Sequence, residues 1–456
     1  MRRKENIKSS DTRRGLKRAA LVLVSLILLG VRFASAADLY PTPEFSNHPI
    51  PQSQTPAVRA SWHEPLDLVF LAVALAAASY FAVRGRSRAG LFTLSIVSLA
   101  WLGFWRKGCV CPIGAIQNVT QSLLDSQYAA GWMVLLVFVL PLAVTLFFGR
   151  SFCASVCPLG AVQELVAVRP VQVPPWIDHA LGLLAFVYLG AAVLFAATGS
   201  AWIICRYDPF VGLFRMTSSA KMLALSAAFL GVGLFIGRPY CRWLCPYGAL
   251  LGLLSRLSWR HLRIDPKGCV QCRLCEDACP YGAIQRPTIA LPPKQRLAGR
   301  LRLAGVLALA PLLVAAGACA GYYMRNVFAS VDRNVQLAEE VRADESAAGR
   351  AKGDSPIFAE AKIGTVPRDE VEAFRGTGES VESLYAAEAR IRRKFAIGGT
   401  IFGGWVGLVF GVKLVRLSIR RRRKDYEPDR AACVSCGRCF WYCPEEHQRQ
   451  ELIQIE

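Results

Sequence analysis

The sequence predicts an α-helical multi-pass membrane protein that carries a small soluble module on one side of the membrane. Three observations support this prediction. Of the 456 residues, 53% are hydrophobic, which exceeds the apolar content of an ordinary globular domain. Apolar segments recur after residue 65 with lengths close to the ~20 residues that cross a bilayer as a helix. Of the 16 cysteines, half form two tight groups with metal-site spacing rather than the pattern of a disulfide framework.

The N-terminal residues 1–37 are predicted to be an export signal or an N-terminal anchor. Basic residues precede an apolar run over residues 19–31, and Ala34-Ser35-Ala36 has the small side chains of a cleavage site. Both interpretations leave residues 38–65 outside, where their Pro, Ser and Gln content predicts an extended periplasmic loop.

The membrane-spanning part is predicted from apolar segments and oriented by the basic residues between them. The predicted spans lie near residues 66–83, 89–105, 129–148, 180–197, 218–236, 301–323 and 395–415. Basic residues cluster in every second loop, and such enrichment in Lys and Arg is typical of cytoplasmic loops. Among them are Arg84, Arg86, Arg88, Arg238, Arg242, Arg256 and Arg260. The net charge of +21 is therefore interpreted as a topology signal, and no nucleic-acid binding is predicted.

This orientation gives the predicted domain order. A transmembrane core (66–260) precedes a cytoplasmic segment (261–300), a transmembrane helix (301–323), a periplasmic cap segment (324–394), another transmembrane helix (395–415), and a cytoplasmic basic linker with a second cysteine motif (416–456). The cap segment should contain a charged helix over residues 381–395 after a Gly/Pro-rich linker around 353–367. It has no cysteine or histidine, so a connecting rather than a catalytic role is expected.

Two copies of the pattern C-x2-C-x2-C-x3-C-P are the strongest chemical signal. The first copy contains Cys269, Cys272, Cys275 and Cys279, and the second contains Cys433, Cys436, Cys439 and Cys443. In bacterial ferredoxins this spacing lets three thiolates hold one [4Fe-4S] cluster while the fourth ligates the other cluster. We therefore expect two [4Fe-4S] clusters in a cytoplasmic two-cluster ferredoxin-like module built from two separated motifs.

Zinc and disulfides are the alternatives for these eight cysteines. Four thiolates also bind zinc tetrahedrally, but four cysteines within eleven residues, followed by proline, suit a cubane cluster better than a zinc ribbon. Disulfides are disfavoured because the cytoplasm is reducing.

A second repeated pattern, C-x3-C-P-x-G-A, lies at the predicted membrane edge. It occurs with Cys153 and Cys157 and again with Cys241 and Cys245, both at the inner ends of predicted spans. A related copy contains Cys109 and Cys111, and Cys205 lies in the next loop, so the sequence predicts these three cysteines on the outer side.

The membrane-edge cysteines could hold a metal or additional clusters. Such stepping stones would be needed because ~30 Å of hydrocarbon is too thick for one efficient electron hop. The alternative is architectural, with proline stopping one helix and glycine opening the turn to the next. Cys319 stands alone in an apolar stretch and is interpreted as a small buried hydrophobic residue.

Other motifs add little. The sequence has no C-x-x-C-H haem attachment site and no dinucleotide or Walker motif. Aromatic residues near segment ends, including Trp101, Trp105, Trp202 and Tyr240, are predicted to form interfacial belts. An aromatic face close to a cluster could also bind a quinone ring.

Residues 66–446 resemble the NosR/NapH group of membrane-bound polyferredoxins, on the motifs above. Cys205-Arg-Tyr-Asp208-Pro209-Phe210 and the C-x3-C-P-x-G-A repeats are most similar to the NosR branch. The resemblance implies a bacterial cytoplasmic (inner) membrane protein that passes electrons between quinol or cytoplasmic donors and a periplasmic reductase. Residues 38–65 are too short for the periplasmic flavin-binding domain of that branch, so a partner flavoprotein is expected to supply any flavin.

The predicted function is therefore that of an electron-transfer component working with other membrane subunits, rather than a stand-alone enzyme. Two other functions remain open at this stage. One is metal handling or maturation, with copper bound at Cys109, Cys111 and Cys205. The other is a regulator whose clusters sense redox state.

Overall fold

The computed structural model describes residues 62–108, 110–216, 219–264, 269–288, 292–351, 368–419, 421–423 and 425–449. The predicted signal or anchor, nearly all of the predicted periplasmic loop, and Cys109 lie outside these residues. In the described part the protein is mostly helical, with a single two-stranded sheet. The prediction of a mostly α-helical fold is confirmed for the described residues.

Long and short helices alternate along the first half of the chain. The α-helices are His63–Val83, Arg88–Ser98, Pro112–Leu124, Trp132–Phe148, Pro158–Val166, Pro175–Leu181, Leu184–Thr198, Ile203–Tyr207, Pro209–Arg215, Ala220–Gly233, Pro239–Trp243 and Pro246–Ser255. Two π-helical stretches, Leu99–Trp105 and Phe152–Val156, lie among them. The second half contains Leu274–Asp277, Pro293–Tyr323, Arg325–Ala329, Arg333–Ala351, Arg368–Gly376, Val381–Ser418, Arg438–Trp441 and Pro444–Arg449.

Five helices in the described residues are long and apolar enough to cross a membrane. They are His63–Val83, Arg88–Trp105, Pro175–Thr198, Gln295–Tyr323 and Val381–Ser418. A sixth span results if Pro209–Arg215 and Ala220–Gly233, which are bent by 109° relative to each other, count as one. These helices support a multi-pass membrane protein.

The structure differs from the seven predicted spans because some apolar runs form shorter helices. The run near 129–148 forms Trp132–Phe148, whose 17 residues reach only ~25 Å. Gly149 ends this helix with φ 73°, a conformation that favours glycine. The run near 218–236 likewise yields the 14-residue helix Ala220–Gly233.

Four short helices begin at a proline that directly follows a cysteine or an aspartate. They are Pro112–Leu124, Pro158–Val166, Pro209–Arg215 and Pro246–Ser255, with Cys111, Cys157, Asp208 and Cys245 as their N-caps. Proline suits the first helical position because it has no N–H to leave unpaired, and it keeps the preceding residue extended. The partial positive charge of each helix N-terminus therefore lies beside a thiol or carboxyl group.

The two long helices of the second half pack closely through glycines. Gly317 and Gly321 of Pro293–Tyr323 lie directly against the backbone of Gly399, Gly403 and Gly407 of Val381–Ser418. Small residues let membrane helices approach this closely. None of the residues in the most apolar part of Pro293–Tyr323 is buried, so the face of this helix that points away from Val381–Ser418 is exposed. Cys319 lies on that exposed face, and the prediction that it is buried is wrong.

The cap segment forms a small helical layer. Arg333–Ala351, Arg368–Gly376 and the start of Val381–Ser418 pack through a core that includes Val341, Phe374 and Leu384. The predicted charged helix over 381–395 is present as the first part of one 38-residue helix. The predicted linker at 353–367 lies outside the described residues.

The two C-x2-C-x2-C-x3-C-P motifs pack together despite their separation in the chain. Strand Ile284–Gln285 pairs antiparallel with Glu427–Pro428. Tyr281, Ile284 and Val434 contribute to the small buried core that the motifs share. We call residues 269–288 and 425–449 the ferredoxin module.

Candidate iron–sulfur sites

Cysteines from both motifs line one cavity in the ferredoxin module. Cys433, Cys436 and Cys439 come from the second motif, and Cys279 comes from the first. This is the exchange expected from two-cluster ferredoxins, in which the fourth cysteine of one motif serves the other cluster.

The remaining four cysteines form the reciprocal set. The thiol of Cys275 interacts electrostatically with Cys269, Cys272 and Cys443. Three cysteines of the first motif therefore lie near the last cysteine of the second. The structure thus groups all eight predicted ligands in two sets of four.

The loops between the cysteines adopt the same unusual backbone in both motifs. Gln271 and Arg273 have φ values of 53° and 63°, and the equivalent Ser435 and Gly437 have 54° and 74°. Left-handed residues other than glycine are uncommon, so two per loop mark a tightly curled chain. This curl turns the intervening cysteines of each motif towards a common point.

Burial makes some thiols of the module hard to ionise without a bound cation, among them Cys433 and Cys275. Burial raises the pKa of Cys433 to about 12, and burial also raises the pKa of Cys275 to about 11. Metal ligation requires thiolates, so a bound iron core would displace these protons. Buried sulfur donors of this kind fit an iron–sulfur cluster.

The repeated C-x3-C-P-x-G-A motifs converge on a second cavity. Cys153, Cys157, Cys241 and Cys245 all line it, together with Arg150 and Tyr247. We call these four cysteines the membrane four-cysteine site. The structure therefore brings together the inner set that the sequence singled out as possible ligands.

Three N–H groups are directed at sulfurs of this site. The Arg150 Nη2 lies 3.7 Å from the Cys153 Sγ, and the Gln163 Nε2 lies 3.2 Å from the Cys241 Sγ. The backbone N–H of Gly248 donates to the Cys245 Sγ at 3.3 Å. Hydrogen bonds to cluster sulfurs favour the more negative, reduced state and so raise the reduction potential.

The arginine that precedes each repeat packs against the C-P-x-G-A segment of the other repeat. Arg150 and Arg238 each stand three residues before the first cysteine of their own repeat. The Arg150 Nη2 lies 3.3 Å from where a Cβ on Gly248 would be, and the Arg238 Nη1 lies 3.0 Å from the same point on Gly160. Glycine in each C-P-x-G-A segment therefore leaves room for the guanidinium of the other repeat.

A buried carboxylate joins this region to the ferredoxin module. Glu164 accepts from Arg88 at 2.5 Å, from Arg438 at 2.7 Å and from Arg238 at 3.2 Å. The Tyr281 hydroxyl also donates to Glu164, at 3.2 Å. Burial would raise the pKa of Glu164, but the charges of the three arginines outweigh it and hold the pKa well below its usual range. Glu164 is therefore ionised and links both halves of the module to the membrane core.

The outer cysteines lie closer to the inner set than the sequence predicts. Ile113, two residues after Cys111, lines the same cavity as the membrane four-cysteine site. The Cys205 Sγ lies 3.2 Å from where a Cβ on Gly114 would be, which places Cys205 beside the helix that Cys111 caps. The predicted separation by a full membrane thickness is therefore wrong for Cys111. Cys109 lies outside the described residues.

Matching glutamines hold the two sets of repeats in the same way. The Gln163 Oε1 accepts from the backbone N–H of Tyr240, and the Gln117 Oε1 accepts from that of Cys205. Both glutamines stand six residues after the second cysteine of their motif, in C-P-x-G-A-x-Q. The described part of the outer motif thus repeats a hydrogen bond of the inner motif.

Asp208 occupies the place of a cysteine in the outer set. It precedes Pro209 as Cys245 precedes Pro246, and its Oδ1 accepts from the N–H groups of Phe210 and Val211. Its Oδ2 accepts from the Tyr240 hydroxyl at 3.1 Å. Tyr240 is fully buried, so the prediction that it belongs to an interfacial belt is wrong.

The grouping of side chains bears on the kind of metal. Within the described ranges, no group of three or more His, Cys, Asp or Glu side chains is placed to hold a metal ion directly. Two of the cysteine sets instead line cavities, as thiolates around the corners of a cubane do. This geometry favours clusters over a mononuclear zinc or copper ion.

Comparisons with protein families agree with these sites. A family described as a 4Fe-4S binding domain matches residues 130–183 and again 220–265, so each match contains one C-x3-C-P motif. A second family with the same description matches residues 262–285, which contain the first ferredoxin motif. The predicted 4Fe-4S ferredoxin-type domains are confirmed.

Relatives extend this result. The NirI protein of Paracoccus denitrificans is 31% identical over 44% of this chain and 31% of its own length. The regulatory protein NosR of Stutzerimonas stutzeri is 26% identical over 44% of this chain and 29% of its own length. YccM of Escherichia coli, which is named for electron transport, is 28% identical over 37% of this chain and 52% of its own length.

The chain contains 4Fe-4S binding domains and is similar to parts of NosR, NirI and YccM. The predicted resemblance to NosR is confirmed by these relatives. The chain spans between about a third and about a half of the length of NosR, NirI and YccM. No solved structure matches this chain.

Sequence reasoning missed several polar residues of the sites. Arg150, Arg238 and Glu164 were not identified as site residues, although G-R-x-x-C precedes both inner motifs. Arg238 was counted only as a topology signal, but its side chain is 1% exposed. Extending the repeat alignment by four residues upstream would have revealed the two arginines.

Proposed function

We propose that the protein carries electrons across the bacterial inner membrane, between a quinol or cytoplasmic donor and a periplasmic acceptor. One observation carries this proposal. The ferredoxin module and the membrane four-cysteine site are adjacent, since Cys153 packs against the core of the module. Arg150 contacts both, through the Cys153 Sγ and the backbone carbonyl of Ala431.

The proposed ligand sets follow from the two cavities and from the electrostatic interactions of the Cys275 thiol. Cys433, Cys436, Cys439 and Cys279 hold one [4Fe-4S] cluster, and Cys269, Cys272, Cys275 and Cys443 hold a second. Cys153, Cys157, Cys241 and Cys245 hold an additional cluster inside the membrane core. When bound, each cluster accepts and releases a single electron, and no substrate needs to reach its irons.

Cys111 and Cys205 could form a further electron-transfer site next to the membrane four-cysteine site. Ile113, in the helix that Cys111 caps, lines the cavity of the membrane four-cysteine site. Cys205 lies beside Gly114 of the same helix. The thiol of Cys111 interacts electrostatically with Cys157. A metal or cluster held by this outer set shortens the remaining distance to a periplasmic acceptor.

The orientation is argued from charge. Arg256 and Arg260 follow the last short helix of the core, and Arg421, Arg422 and Arg423 follow Val381–Ser418. These basic residues flank the ferredoxin module, which favours a cytoplasmic location for it. The cap helices then face the periplasm, where a flavoprotein or reductase and other membrane subunits are the partners.

The proposal is tested by anaerobic iron and acid-labile sulfide analysis with low-temperature EPR on detergent-purified protein. The intact chain is compared with a Cys153, Cys157, Cys241, Cys245 quadruple alanine variant and with a control, Cys319→Ala, at the exposed cysteine. We expect about twelve irons in the intact chain and the control, and about eight in the quadruple variant, as four irons per cubane imply.

The other outcomes separate the alternatives. Absence of iron and sulfide from all three proteins would refute an iron–sulfur function. Eight irons in every protein would leave the membrane cysteines architectural. Copper that tracks Cys111 and Cys205 in the intact chain would replace electron transfer with metal handling, while intact clusters that no quinol or flavodoxin can reduce would favour a sensor.

A further inference from the structure

Arg150 is a buried cation that lacks a protein carboxylate. Its side chain lines the cavity of the membrane four-cysteine site, and the residue is 8% exposed. No carboxylate in the described ranges forms an ion pair with it, and its Nε has no hydrogen-bond partner there. A buried charge of this kind is costly unless an opposite charge lies nearby.

The only polar partners of Arg150 in the described residues lie on two sides. Its Nη2 is directed at the Cys153 Sγ at 3.7 Å, and its Nη1 donates to the Ala431 carbonyl at 2.8 Å. Ala431 stands two residues before Cys433, a cysteine of the adjacent cavity. The guanidinium therefore bridges the membrane four-cysteine site and the ferredoxin module.

The surroundings do not neutralise this charge. The buried carboxylate of Glu164 is already shared by Arg88, Arg238 and Arg438. Arg150 is not among its partners, so no carboxylate in the described ranges pairs with the Arg150 guanidinium. A cubane held by four thiolates is an anion in both of its usual redox states, so a cluster on each side would balance the excess positive charge.

We infer that Arg150 is the counter-charge of an anionic cluster in the membrane four-cysteine site, and that it sets the potential of this cluster and couples it to the Cys433 site. The inference rests on the additional cluster in the proposed function. Reduction adds a negative charge beside the guanidinium, so Arg150 stabilises the reduced state. Because Arg150 also contacts the carbonyl of Ala431, its guanidinium lies between the two sites. A change in the charge of one site therefore changes the electrostatic potential at the other.

The test uses Arg150→Gln and Arg150→Lys in the full-length protein, with Arg242→Gln as the matched control. Arg242 also docks the module, donating to the carbonyls of Pro280 and Tyr281, but it pairs with Asp178. It does not line the cavity of the membrane four-cysteine site. Iron content and EPR-monitored redox titration are measured for each protein.

We expect Arg150→Gln to lower the midpoint potential of the membrane cluster by at least 59 mV, which is a tenfold change in its one-electron equilibrium. Arg150→Lys keeps the charge and should retain most of the intact potential, and Arg242→Gln should leave the potential of the membrane cluster unchanged. Loss of about four irons in Arg150→Gln alone would equally support the counter-charge role.

Three outcomes would overturn the inference. Equal potentials in the intact protein and Arg150→Gln would show that the guanidinium does not act on the cluster. Equal loss of the cluster from Arg150→Gln and Arg150→Lys would indicate a packing role instead of a charge. Absence of the membrane cluster from the intact protein would remove this inference and the third cluster of the proposed function, but not the two clusters of the ferredoxin module.

Discussion

At the scale of single residues, Glu164 decides how the ferredoxin module meets the membrane core. A carboxylate at 4% exposure would normally be protonated or absent, yet three guanidiniums keep it charged. Arg88 comes from the core, Arg438 comes from the second motif, and Tyr281 comes from just after the first. A single side chain thus ties both halves of the module to the same point, which fixes the distance between the cysteine cavities.

The exchange of fourth cysteines gives a sharp residue-level prediction. If Cys279 ligates the cluster of the second motif, Cys279→Ser and Cys436→Ser should each remove about four irons, and the double variant should remove no more than either single change. If Cys279 served its own motif, the double variant would lose about eight irons. Iron analysis of the two single variants and the double variant checks this.

A matched pair of double variants controls for general damage to the module. Combining Cys279→Ser with Cys272→Ser should remove about eight irons, because these cysteines belong to different sets. The same loss in both double variants would contradict the exchange.

At the scale of helices, the cysteine motifs work because each one ends an extended segment and begins a short helix. The N-cap cysteine of Pro246–Ser255 accepts the N–H of Gly248, so the helix terminus itself supplies a hydrogen bond to sulfur. Asp208 does the same for Pro209–Arg215 with its carboxylate. Short helices thus carry the ligands into the core, while long helices surround them.

The contact between Pro293–Tyr323 and Val381–Ser418 can be tested by adding one methyl group. At Gly403, a Cβ would collide with the backbone of Gly317, so Gly403→Ala should force the helices apart and lower the free energy of unfolding by about 1–3 kcal/mol. Gly404→Ala is the control, because its nearest neighbours would be at ordinary contact distances of 3.8 Å or more.

Thermal unfolding in detergent, followed by intrinsic fluorescence, measures the difference. Gly403→Ala should unfold at a lower temperature than the intact protein. Gly404→Ala should unfold at the same temperature as the intact protein or slightly above it, because alanine favours a helix more than glycine does. Equal midpoints for the two variants would contradict close packing of these helices.

The sequence predicts some of these elements well because their signals are local. Cysteine spacing within each ferredoxin motif predicts the ligand set, and apolar runs predict the long helices. Trp132–Phe148 is as apolar as a full span, however, and only its glycine boundary and the packing around it limit its length. Hydrophobicity alone therefore does not determine where an apolar helix ends.

The sequence alone does not distinguish a buried arginine from one at the membrane surface. A basic residue at the end of an apolar run has the same sequence pattern whether it contacts lipid headgroups or points into the protein. Arg238 illustrates this, since it fits the positive-inside pattern and is nevertheless buried against Glu164. Only tertiary packing, which joins residues 74 positions apart, reveals its role.

At the scale of the whole molecule, the arrangement of the cysteine sets suggests a direction through the membrane. The ferredoxin module packs against the membrane four-cysteine site, and the helix that Cys111 caps reaches the cavity of this site through Ile113. The cap helices Arg333–Ala351 and Arg368–Gly376 follow Pro293–Tyr323 and precede Val381–Ser418, so they lie at the end of these helices opposite the module. A conduit requires these two ends to face different compartments.

Topology reporters test this requirement. Alkaline phosphatase, which folds only outside the cytoplasm, is inserted after Gly378 in the cap or fused to the C-terminus beyond the module, and green fluorescent protein is placed at the same positions. We expect phosphatase activity from the cap and fluorescence from the C-terminus, because basic residues beside the module favour the proposed cytoplasmic location. Phosphatase activity at both positions, or at the C-terminus alone, would contradict the proposed orientation.

Replacing Arg421, Arg422 and Arg423 with glutamine should weaken the C-terminal fluorescence if these charges contribute to that orientation. Replacing Arg333 and Arg375 in the cap should leave both reporters unchanged.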